Sequence, residues 1–218
     1  MEINAEHIRG LKPVGDKLSF PIHWLSSHAY CGYQFFLQCI KGVETEPTTA
    51  MVEGIKEHKR LEDEFLEKAV PVDFDDALEI SKSTTLVRRE LRVRCGTHGI
   101  YGKIDEVQFT PTEIIVIDDK PGTRAWQSHQ HQIYGYCLAL KERIIAQDNR
   151  PIIAAMRELG TSNVYWRQQF NVVAESRIID IVNRVHMQLA GNLPFQVNLN
   201  PNKCIACYLN TVCDRKQG

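Results

Sequence analysis

Residues 102–120 decide the fold, and they run Gly-Lys-Ile-Asp-Glu-Val-Gln-Phe-Thr-Pro-Thr-Glu-Ile-Ile-Val-Ile-Asp-Asp-Lys. Two apolar-rich runs of strand length lie on either side of a Thr-Pro-Thr break. Because proline favours turns and cannot donate a hydrogen bond inside a sheet, the pattern predicts a β-hairpin. If its loop is formed by residues 110–113, Phe109 pairs with Ile114.

The predicted hairpin brings acidic side chains together. Side chains of a strand alternate between its two faces, so Asp118 and Lys120 share one face and Asp119 lies on the other. The same register places Asp105 opposite Asp118, and directly opposed residues have Cβ atoms only about 5 Å apart. Two carboxylates that close repel each other unless a cation lies between them, and such ligands suit Mg²⁺ or Mn²⁺. The hairpin therefore predicts a metal site with a lysine beside it.

The composition of the chain is that of one globular domain. With 218 residues, of which 43% are hydrophobic and 24% charged, we expect a single domain over residues 1–218. The net charge of −1 gives no global attraction to nucleic acid, so any such binding needs a local basic surface. There is no apolar run of membrane-spanning length and no signal-peptide pattern at the N-terminus, which predicts a soluble cytoplasmic protein.

Residues 48–69 have apolar side chains at helical spacing, which predicts a long amphipathic helix with an inward stripe. The stripe consists of Met51, Ile55, Leu61, Phe65 and Ala69. His58 lies on the same face. A histidine there suits either an ordinary buried position or a metal ligand, because a neutral imidazole that points inward can bind a cation.

Residues 86–95 alternate between apolar and basic side chains, which predicts a strand. Its apolar face carries Val87, Leu91, Val93 and Cys95, and its basic face carries Arg88, Arg92 and Arg94. A strand face lined by arginines is a candidate phosphate contact, but ordinary solvated charge gives the same pattern. Arg89 and Glu90 interrupt the alternation, so we favour solvated charge.

A further helix is predicted from about residue 125 to residue 145, after the turn residues Pro121 and Gly122. Its inward stripe consists of Ile133, Cys137, Leu140 and Ile144. The helix also contains two Gln-x-x-x-Tyr pairs, Gln130 with Tyr134 and Gln132 with Tyr136. Residues four apart share a helix face, and either pair taken alone is compatible with an ordinary helix surface.

Seven cysteines at uneven spacing argue against a disulfide framework and for a ligand set plus free thiols. Three of them lie close together in the tail as Cys204, Cys207 and Cys213. Tetrahedral thiolate sets hold Zn²⁺ or an iron-sulfur cluster, and spacing alone does not separate the two. Cys31 is our candidate for the fourth ligand. The remaining cysteines, predicted to be buried free thiols, are Cys39, Cys95 and Cys137.

These motifs fall in the order found in RecB-like nucleases that carry an iron-sulfur cluster. In chain order they are Cys31, Gly54-x-x-x-His58, Gly102-x-x-Asp105, Asp118-x-Lys120, Gln132-x-x-x-Tyr136 and the three tail cysteines Cys204, Cys207 and Cys213. The chain resembles the PD-(D/E)XK nuclease superfamily and, within it, the CRISPR-associated RecB-like iron-sulfur exonuclease family. The resemblance spans residues 31–213. One departure is Asp118, where many relatives carry glutamate.

The resemblance implies an α/β fold with a PD-(D/E)XK (RecB-like) nuclease core, in which helices flank a mixed central sheet. It also implies a metal-dependent exodeoxyribonuclease that acts on single-stranded DNA ends. His58, Asp105 and Asp118 would hold Mg²⁺ or Mn²⁺, and Lys120 would orient the attacking water or stabilise the developing negative charge. Of the two Gln-x-x-x-Tyr pairs, the flanking apolar residues favour the second, so Gln132 and Tyr136 would position the strand.

The resemblance further implies an iron-sulfur module, formed by Cys31 and residues 204–213, that joins the N- and C-terminal regions. A four-iron cluster is favoured, although a two-iron cluster uses the same number of thiolates. In the family, the enzyme processes CRISPR spacer precursors together with the CRISPR integrase proteins. A repair or virus-encoded nuclease outside CRISPR would share the same motifs. A DNA-binding adaptor with a structural metal cluster is a further alternative, and the carboxylate-lysine motif argues against it.

Overall fold

The computed structural model describes residues 8–14 and 17–217, which form a mixed seven-stranded sheet with helices packed against it. The strands are β1 Lys12–Val14, β2 Lys17–Pro21, β3 Leu86–Cys95, β4 Ile100–Phe109, β5 Ile114–Lys120, β6 Ile152–Glu158 and β7 Val164–Gln169. The helices are α1 Trp24–Tyr30, α2 Gly32–Phe35, α3 Thr49–Leu66, α4 Phe74–Ile80, α5 Gln127–Ile144, α6 Val172–Leu189 and α7 Pro201–Ile205. A π-helical segment, Phe36–Ile40, extends α2.

Strand β4 lies at the centre of a fork in the sheet. Strand β3 pairs antiparallel with one edge of β4 along nearly its whole length. The other edge is shared, because β2 runs parallel to Ile100 and Tyr101 whereas β5 runs antiparallel to residues 106–109. Within the described part of the chain, residues 102–105 therefore have no strand beside them on that edge. This opening is where β4 and β5 separate.

The predicted hairpin forms in the predicted register. Phe109 pairs with Ile114, and the loop is closed by the Thr110 N–H, which donates to the Glu113 carbonyl over 2.9 Å. The ladder extends to residue 106, so the next opposed positions are those of Asp105 and Asp118. The hairpin therefore places the carboxylates of Asp105 and Asp118 at the fork.

The main hydrophobic core lies between α5 and the sheet. Helix α5 packs across β3, β4, β5 and β6, while α1 and α6 pack against α5. The predicted stripe of α5 is buried at every position: Ile133, Cys137, Leu140 and Ile144. Burying one leucine or isoleucine side chain contributes about 1.5–3 kcal/mol, so this stripe holds α5 firmly over the fork.

Strand β3 changes phase at Glu90, whose φ of 54° is unusual for a residue other than glycine. The positions beyond it are buried as predicted: Leu91, Val93 and Cys95. Val87, predicted to share their face, is 38% exposed, so that prediction was wrong. Strand β4 changes phase at the same level, because Ile104 and Val107 are both fully buried although three residues apart. The irregular backbone breaks the period of two on which the prediction relied.

Helix α3 forms as predicted, but its apolar stripe is not buried. Thr48 caps the helix, because its side chain accepts a hydrogen bond from the Met51 N–H. No described residue of α3 is buried, and Ile55 is 69% exposed, so the expected inward stripe was wrong. The helix contacts β3 along one side only, and most of its surface has no neighbouring element to cover it.

Candidate active site

The predicted catalytic side chains meet at the fork between β4 and β5. Lys120 Nζ lies 2.9 Å from Asp118 Oδ2. The backbone N–H of Asp119 donates to Asp105 Oδ2 over 2.9 Å. Because Asp118 is buried, water screens these charges weakly. The structure therefore brings Asp105, Asp118 and Lys120 into one polar group within the protein interior.

Helix α5 adds two polar side chains to this group. Gln132 Oε1 accepts a hydrogen bond from Lys120 Nζ over 3.3 Å. Gln132 Nε2 donates to Asp118 Oδ1 over 3.5 Å and to Tyr136 Oη over 3.4 Å. Both Gln132 and Tyr136 are buried. The structure thus places this Gln-x-x-x-Tyr pair against the carboxylate and the lysine.

The other pair faces away from the fork. Tyr134 Oη donates to Gln168 Oε1 over 2.7 Å, and Gln130 Nε2 donates to the carbonyl of Ala125. The position of Tyr136 depends on Gly102, where an added Cβ would lie 2.8 Å from Tyr136 Cε1. Glycine at this position therefore lets the tyrosine ring lie directly on the backbone of β4.

Burial and neighbouring charges set the protonation states of the group. Burial raises the pKa of Asp105 to about 7, and the charge of Asp118 adds to this effect. Burial by itself would lower the pKa of Lys120, but the charges of Asp118 and Asp105 raise it above its usual value. With its pKa raised, Lys120 is a charged hydrogen-bond donor at neutral pH.

His58 reaches the fork from α3. One of its ring nitrogens lies within 4.8 Å of a carboxylate oxygen of Asp105 and one of Asp119, and those two oxygens are equally close to each other. Burial lowers the pKa of His58, while the charges of Asp119 and Asp118 act in the opposite direction. A neutral imidazole can donate its lone pair to a metal. His58 and Asp105 therefore meet as predicted, but the third group of this set is Asp119 rather than Asp118.

The surroundings of Asp119 argue against its carboxylate as a metal ligand. Arg157 Nε donates to Asp119 Oδ1 over 2.7 Å, and Arg89 Nη2 donates to Asp119 Oδ2 over 3.2 Å. Asp118 Oδ2, in contrast, is buried and is paired with Lys120 Nζ over 2.9 Å, and no guanidinium group among the described residues holds either Asp118 oxygen. We therefore favour Asp118 over Asp119 as the third metal ligand. Asp119 is closer to His58 and Asp105, but guanidinium groups already bind both of its oxygens.

The side chains at the fork are of types that bind a divalent cation, although the structure brings an oxygen of Asp119, and not one of Asp118, within 4.8 Å of both His58 and Asp105. Carboxylate oxygens suit Mg²⁺ and Mn²⁺, and imidazole is a common ligand of transition metals. A cation would add a second positive partner to Asp118 Oδ2, which now has Lys120 Nζ beside it. It would also offset the loss of hydration and the repulsion from Asp118, which together keep the pKa of Asp105 high.

A buried charge network behind the site was not predicted. It consists of Arg89, Glu106, Asp119 and Arg157. Arg157 bonds to both acids, and its side chain is only 13% exposed. The network holds Asp119, whose N–H in turn bonds to Asp105. The single sequence signal for it was Arg89, which stood on the otherwise apolar side of the strand.

Four cysteines line one pocket at the other end of the molecule. Cys31 lies at the break between α1 and α2, where its backbone is extended, with φ −161° and ψ 121°. The three tail cysteines line the same pocket: Cys204, Cys207 and Cys213. Asn198 N–H donates to Cys31 Sγ over 3.3 Å, and Gln217 N–H donates to Cys204 Sγ over 3.4 Å. We call this site the cysteine pocket.

The pKa of Cys207 and the spacing of the four sulfurs are relevant to which metal centre the cysteine pocket could bind. Burial raises the pKa of Cys207, and the negative charge that the other three cysteines carry as thiolates adds to the effect. Within residues 8–14 and 17–217, no three of these sulfurs lie within 4.8 Å of one another. Tetrahedral Zn²⁺ with bonds of about 2.3 Å would bring them to about 3.8 Å. In this structure the sulfurs are therefore not arranged as the ligands of one tetrahedral zinc ion.

The other cysteines lie outside the pocket. Cys137 is fully buried, and Cys95, also buried, donates from Sγ to Glu142 Oε2 over 2.9 Å. Cys39 is half-buried, and burial raises its pKa to about 12. The expectation of buried free thiols is thus confirmed for Cys95 and Cys137 and was too strong for Cys39.

Comparison with known proteins gives a fold. Neither a family model nor a curated protein matches the sequence. A candidate exonuclease from Eubacterium rectale, known from its crystal structure, is 11% identical, with a TM-score of 0.51. That match covers 92% of this chain and 89% of the other. An alkaline exonuclease from Laribacter hongkongensis is 11% identical over 79% of this chain and 88% of its own, with a TM-score of 0.45.

At these identities the likeness to the Eubacterium rectale structure shows the fold alone, and the lower TM-score carries no argument. The predicted α/β fold, with a mixed central sheet flanked by helices, is confirmed by the strand pairing and by this likeness. Among the helices described here, none combines the length and the hydropathy that a membrane crossing requires.

Proposed function

We propose that this chain is a metal-dependent exonuclease that degrades single-stranded DNA from its ends. The observation that carries the proposal is the meeting of Asp105, Asp118 and Lys120 at the fork of the sheet. Metal-dependent hydrolysis of a phosphodiester uses ligands for a cation and a fixed positive charge near the phosphate, and this group offers both. The fold shared with a candidate exonuclease and the order of the motifs support the same activity.

Each side chain has a role that its contacts allow. Asp105, Asp118 and His58 would hold Mg²⁺ or Mn²⁺, which when bound polarises a phosphate and lowers the pKa of a water molecule. The protonated Lys120 donates to the phosphate or the attacking water and stabilises the negative charge that develops. Gln132 accepts from Lys120 Nζ and so aims the ammonium group, while Tyr136 fixes Gln132.

An iron-sulfur cluster in the cysteine pocket is the second part of the proposal. The convergence of Cys31 with the three tail cysteines supports it, as do the backbone N–H groups that donate to Cys31 and Cys204. Hydrogen bonds to ligand sulfurs are a usual feature of such clusters and tune their potential. Four thiolates suit a four-iron cluster, and a two-iron cluster takes the same number.

The biological role is the most specific part of the proposal, and it is supported by the family resemblance alone. In the CRISPR-associated family the nuclease trims spacer precursors and works with the integrase proteins. A gene beside integrase genes, and co-purification with their products, would support this role. A gene remote from any CRISPR locus would instead favour a repair or virus-encoded nuclease.

The activity is tested with end-labelled single-stranded DNA and purified protein, with Mn²⁺ or with EDTA. We expect linear single-stranded DNA to be degraded when Mn²⁺ is present and to stay intact in EDTA. Circular single strands should stay intact in both conditions, because they offer no end. Lys120→Ala should slow degradation roughly a hundred- to a thousand-fold, since a comparable electrostatic group supplies about 3–4 kcal/mol to a transition state.

The matched control is Lys68→Ala, which removes an exposed lysine beyond the end of α3. It should degrade DNA at the wild-type rate. Wild-type activity in the Lys120→Ala variant would refute the assigned site, and rapid cutting of circular DNA would refute the exonuclease assignment.

A further inference from the structure

A cleft rich in basic residues lies along β3 and β4 and reaches the end of α5, where Glu142 and Arg143 also line it; Glu44 and Glu142 are the acidic residues in its walls. Two adjoining cavities share Lys12, Arg92, Tyr101 and Gly102 in their walls. Further basic residues in these walls are Arg9, Lys41, Arg94 and Lys103. We call this surface the basic cleft. Since the whole chain has a net charge of −1, the concentration of positive charge here is local and not a general property of the protein.

The pairing of β3 with β4 sets like charges against each other in the basic cleft. Arg92 lies directly opposite Lys103, and both side chains are exposed. Directly opposed like charges destabilise an antiparallel pair, so this arrangement does not serve folding. Among the described residues, Glu90 pairs with Lys103, whereas Arg92 and Arg94 have no acidic partner. An anion that lies across the two strands would offset the repulsion.

The basic cleft leads towards the candidate metal ligands along two elements. Lys103 lies in its wall two residues before Asp105, which is about 7 Å along β4. Met51 also lies in the wall, and His58 follows seven residues later on α3, about 10 Å along the helix axis. Along both elements, residues of the cleft wall thus lie within about 10 Å of a candidate metal ligand.

An aromatic ring lies between the basic side chains. Lys12 Nζ is 3.6 Å from the centroid of the Tyr101 ring, and Tyr101 Oη donates to the Gly10 carbonyl over 2.6 Å. The ring is thus fixed in the wall that both cavities share. Sites for single-stranded nucleic acid combine a positively charged groove with aromatic side chains in this way, because phosphates and bases follow each other along the strand.

We propose that the basic cleft binds the phosphate backbone of single-stranded DNA and leads its end to the fork. This inference rests on the proposed function and names the surface that holds the substrate beyond the reacting phosphate. Arg92 and Arg94 contact phosphates from β3, Lys12 does so from β1, and Lys103 is the last cation before the metal ligands.

The test is DNA binding in EDTA, where cleavage cannot occur, measured by fluorescence anisotropy over a range of salt concentrations. The variant Arg92→Ala/Arg94→Ala is compared with Arg177→Ala/Arg184→Ala, which removes two exposed arginines of α6. Losing two contacts to a single strand should make the slope of log K against log salt shallower by about 1.4. The same loss corresponds to roughly tenfold weaker binding near 0.15 M salt.

Three other results would each overturn a different statement. Equal binding by the two double variants would overturn the assignment of the basic cleft, whether or not the wild type degrades DNA. Tighter arginine-dependent binding of blunt duplex than of single strand would overturn the choice of single-stranded DNA. A wild type that binds with the expected salt dependence but never cleaves would overturn the proposed nuclease activity and leave the cleft assignment intact.

Discussion

Asp105 is the residue on which the chemistry of the site depends. Its carboxylate is buried beside that of Asp118, and this raises its pKa to about 7. Near neutral pH the pair therefore holds either a proton or a cation, because two buried charges of the same sign repel each other strongly. A proton and a divalent cation compete for the same carboxylate.

We predict that the affinity for Mn²⁺ falls as the pH is lowered through 7. The sign follows from the raised pKa, because the proton that Asp105 holds below pH 7 must leave before the metal binds. The loss should approach tenfold per pH unit once Asp105 is protonated. Isothermal titration calorimetry with Mn²⁺, at pH values on either side of 7, measures it.

The comparison for this prediction is Asp105→Asn, which removes the titrating group and should bind Mn²⁺ weakly at every pH. If wild-type affinity were the same at pH 6 and pH 8, Asp105 would not be a ligand. A similar pH dependence in Asp105→Asn would assign the titration to another group, of which His58 is the nearest in the set.

At the scale of the secondary-structure elements, α5 decides which polar residues reach the site. Gln132→Ala should slow DNA cleavage about ten- to a hundredfold, because it removes a hydrogen bond to a charged group, worth about 1.5–3 kcal/mol. Gln130 lies two residues away on the same helix, and its side chain donates to the Ala125 carbonyl. Gln130→Ala should therefore leave the rate unchanged. Initial rates on single-stranded DNA measure both variants.

The tyrosines provide a second matched pair on α5. Tyr136→Phe should slow cleavage, since its hydroxyl accepts from Gln132, whereas Tyr134→Phe removes only the bond to Gln168. Equal rates in the Gln132 and Gln130 variants would show that α5 contributes packing to the site and no catalytic hydrogen bond.

The strands contribute the charge network, and here we predict an effect on stability. Arg157→Ala should lower the free energy of unfolding by about 3–5 kcal/mol, because Glu106 and Asp119 would remain buried with too few positive partners. The exposed ion pairs of Arg60 on α3 make Arg60→Ala the control, and its stability should be close to that of the wild type. Urea unfolding followed by circular dichroism compares the two.

The outcome for Arg157 also bears on metal binding. The network holds Asp119, and the N–H of Asp119 orients the Asp105 carboxylate. A surviving folded fraction of Arg157→Ala should therefore bind Mn²⁺ more weakly than the wild type. An unfolding free energy within the error of the Arg60→Ala value would contradict the stabilising role of the network.

At the scale of the whole molecule, the N-terminal helices and the C-terminal tail are joined around the cysteine pocket. The Tyr33 N–H donates to the Gln196 carbonyl over 3.0 Å, and Asn198 Nδ2 donates to the Tyr30 carbonyl over 2.8 Å. Tyr30 Oη donates to the Lys203 carbonyl over 2.7 Å. A centre bound by the four thiols would add covalent ligand bonds to these contacts and close a very long loop of chain.

We predict that the protein is brown when it is purified without oxygen, and that it contains iron and acid-labile sulfide with little zinc. Cys31→Ser should bleach it and lower its melting temperature. A loss of about 2–3 kcal/mol corresponds to about 4–12 °C for a chain of this size. Metal analysis, absorption spectra and thermal melts provide the measurements.

Cys95→Ser and Cys137→Ser are the matched controls, since both thiols are buried outside the cysteine pocket. They should keep the colour even if they lower stability. A colourless wild type with one bound zinc ion would show that the pocket is a zinc site, and the thiols would then have to move closer together than they are here.

The features that the sequence by itself determined are those encoded over a few neighbouring residues. The hairpin register was predictable because a proline turn and a period of two are local signals, and Phe109 does pair with Ile114. The buried stripe of α5 was predictable for the same reason. Asp105, Asp118 and Lys120 were identified as candidates because the predicted hairpin opposes two carboxylates beside a lysine, and because the accompanying motifs follow the order found in RecB-like nucleases.

Only the tertiary structure decided which side chains act together across long separations in sequence. The two Gln-x-x-x-Tyr pairs of α5 are equivalent on an isolated helix, and packing against the sheet turns one pair towards Asp118. The irregular backbone at Glu90 exposes Val87, and the sparse packing against α3 leaves Met51 and Ile55 exposed. Arg157 reaches Asp119 only because β6 pairs with β5. Periodicity shows that a helix or strand has two faces, but burial of a face depends on the elements that pack against it.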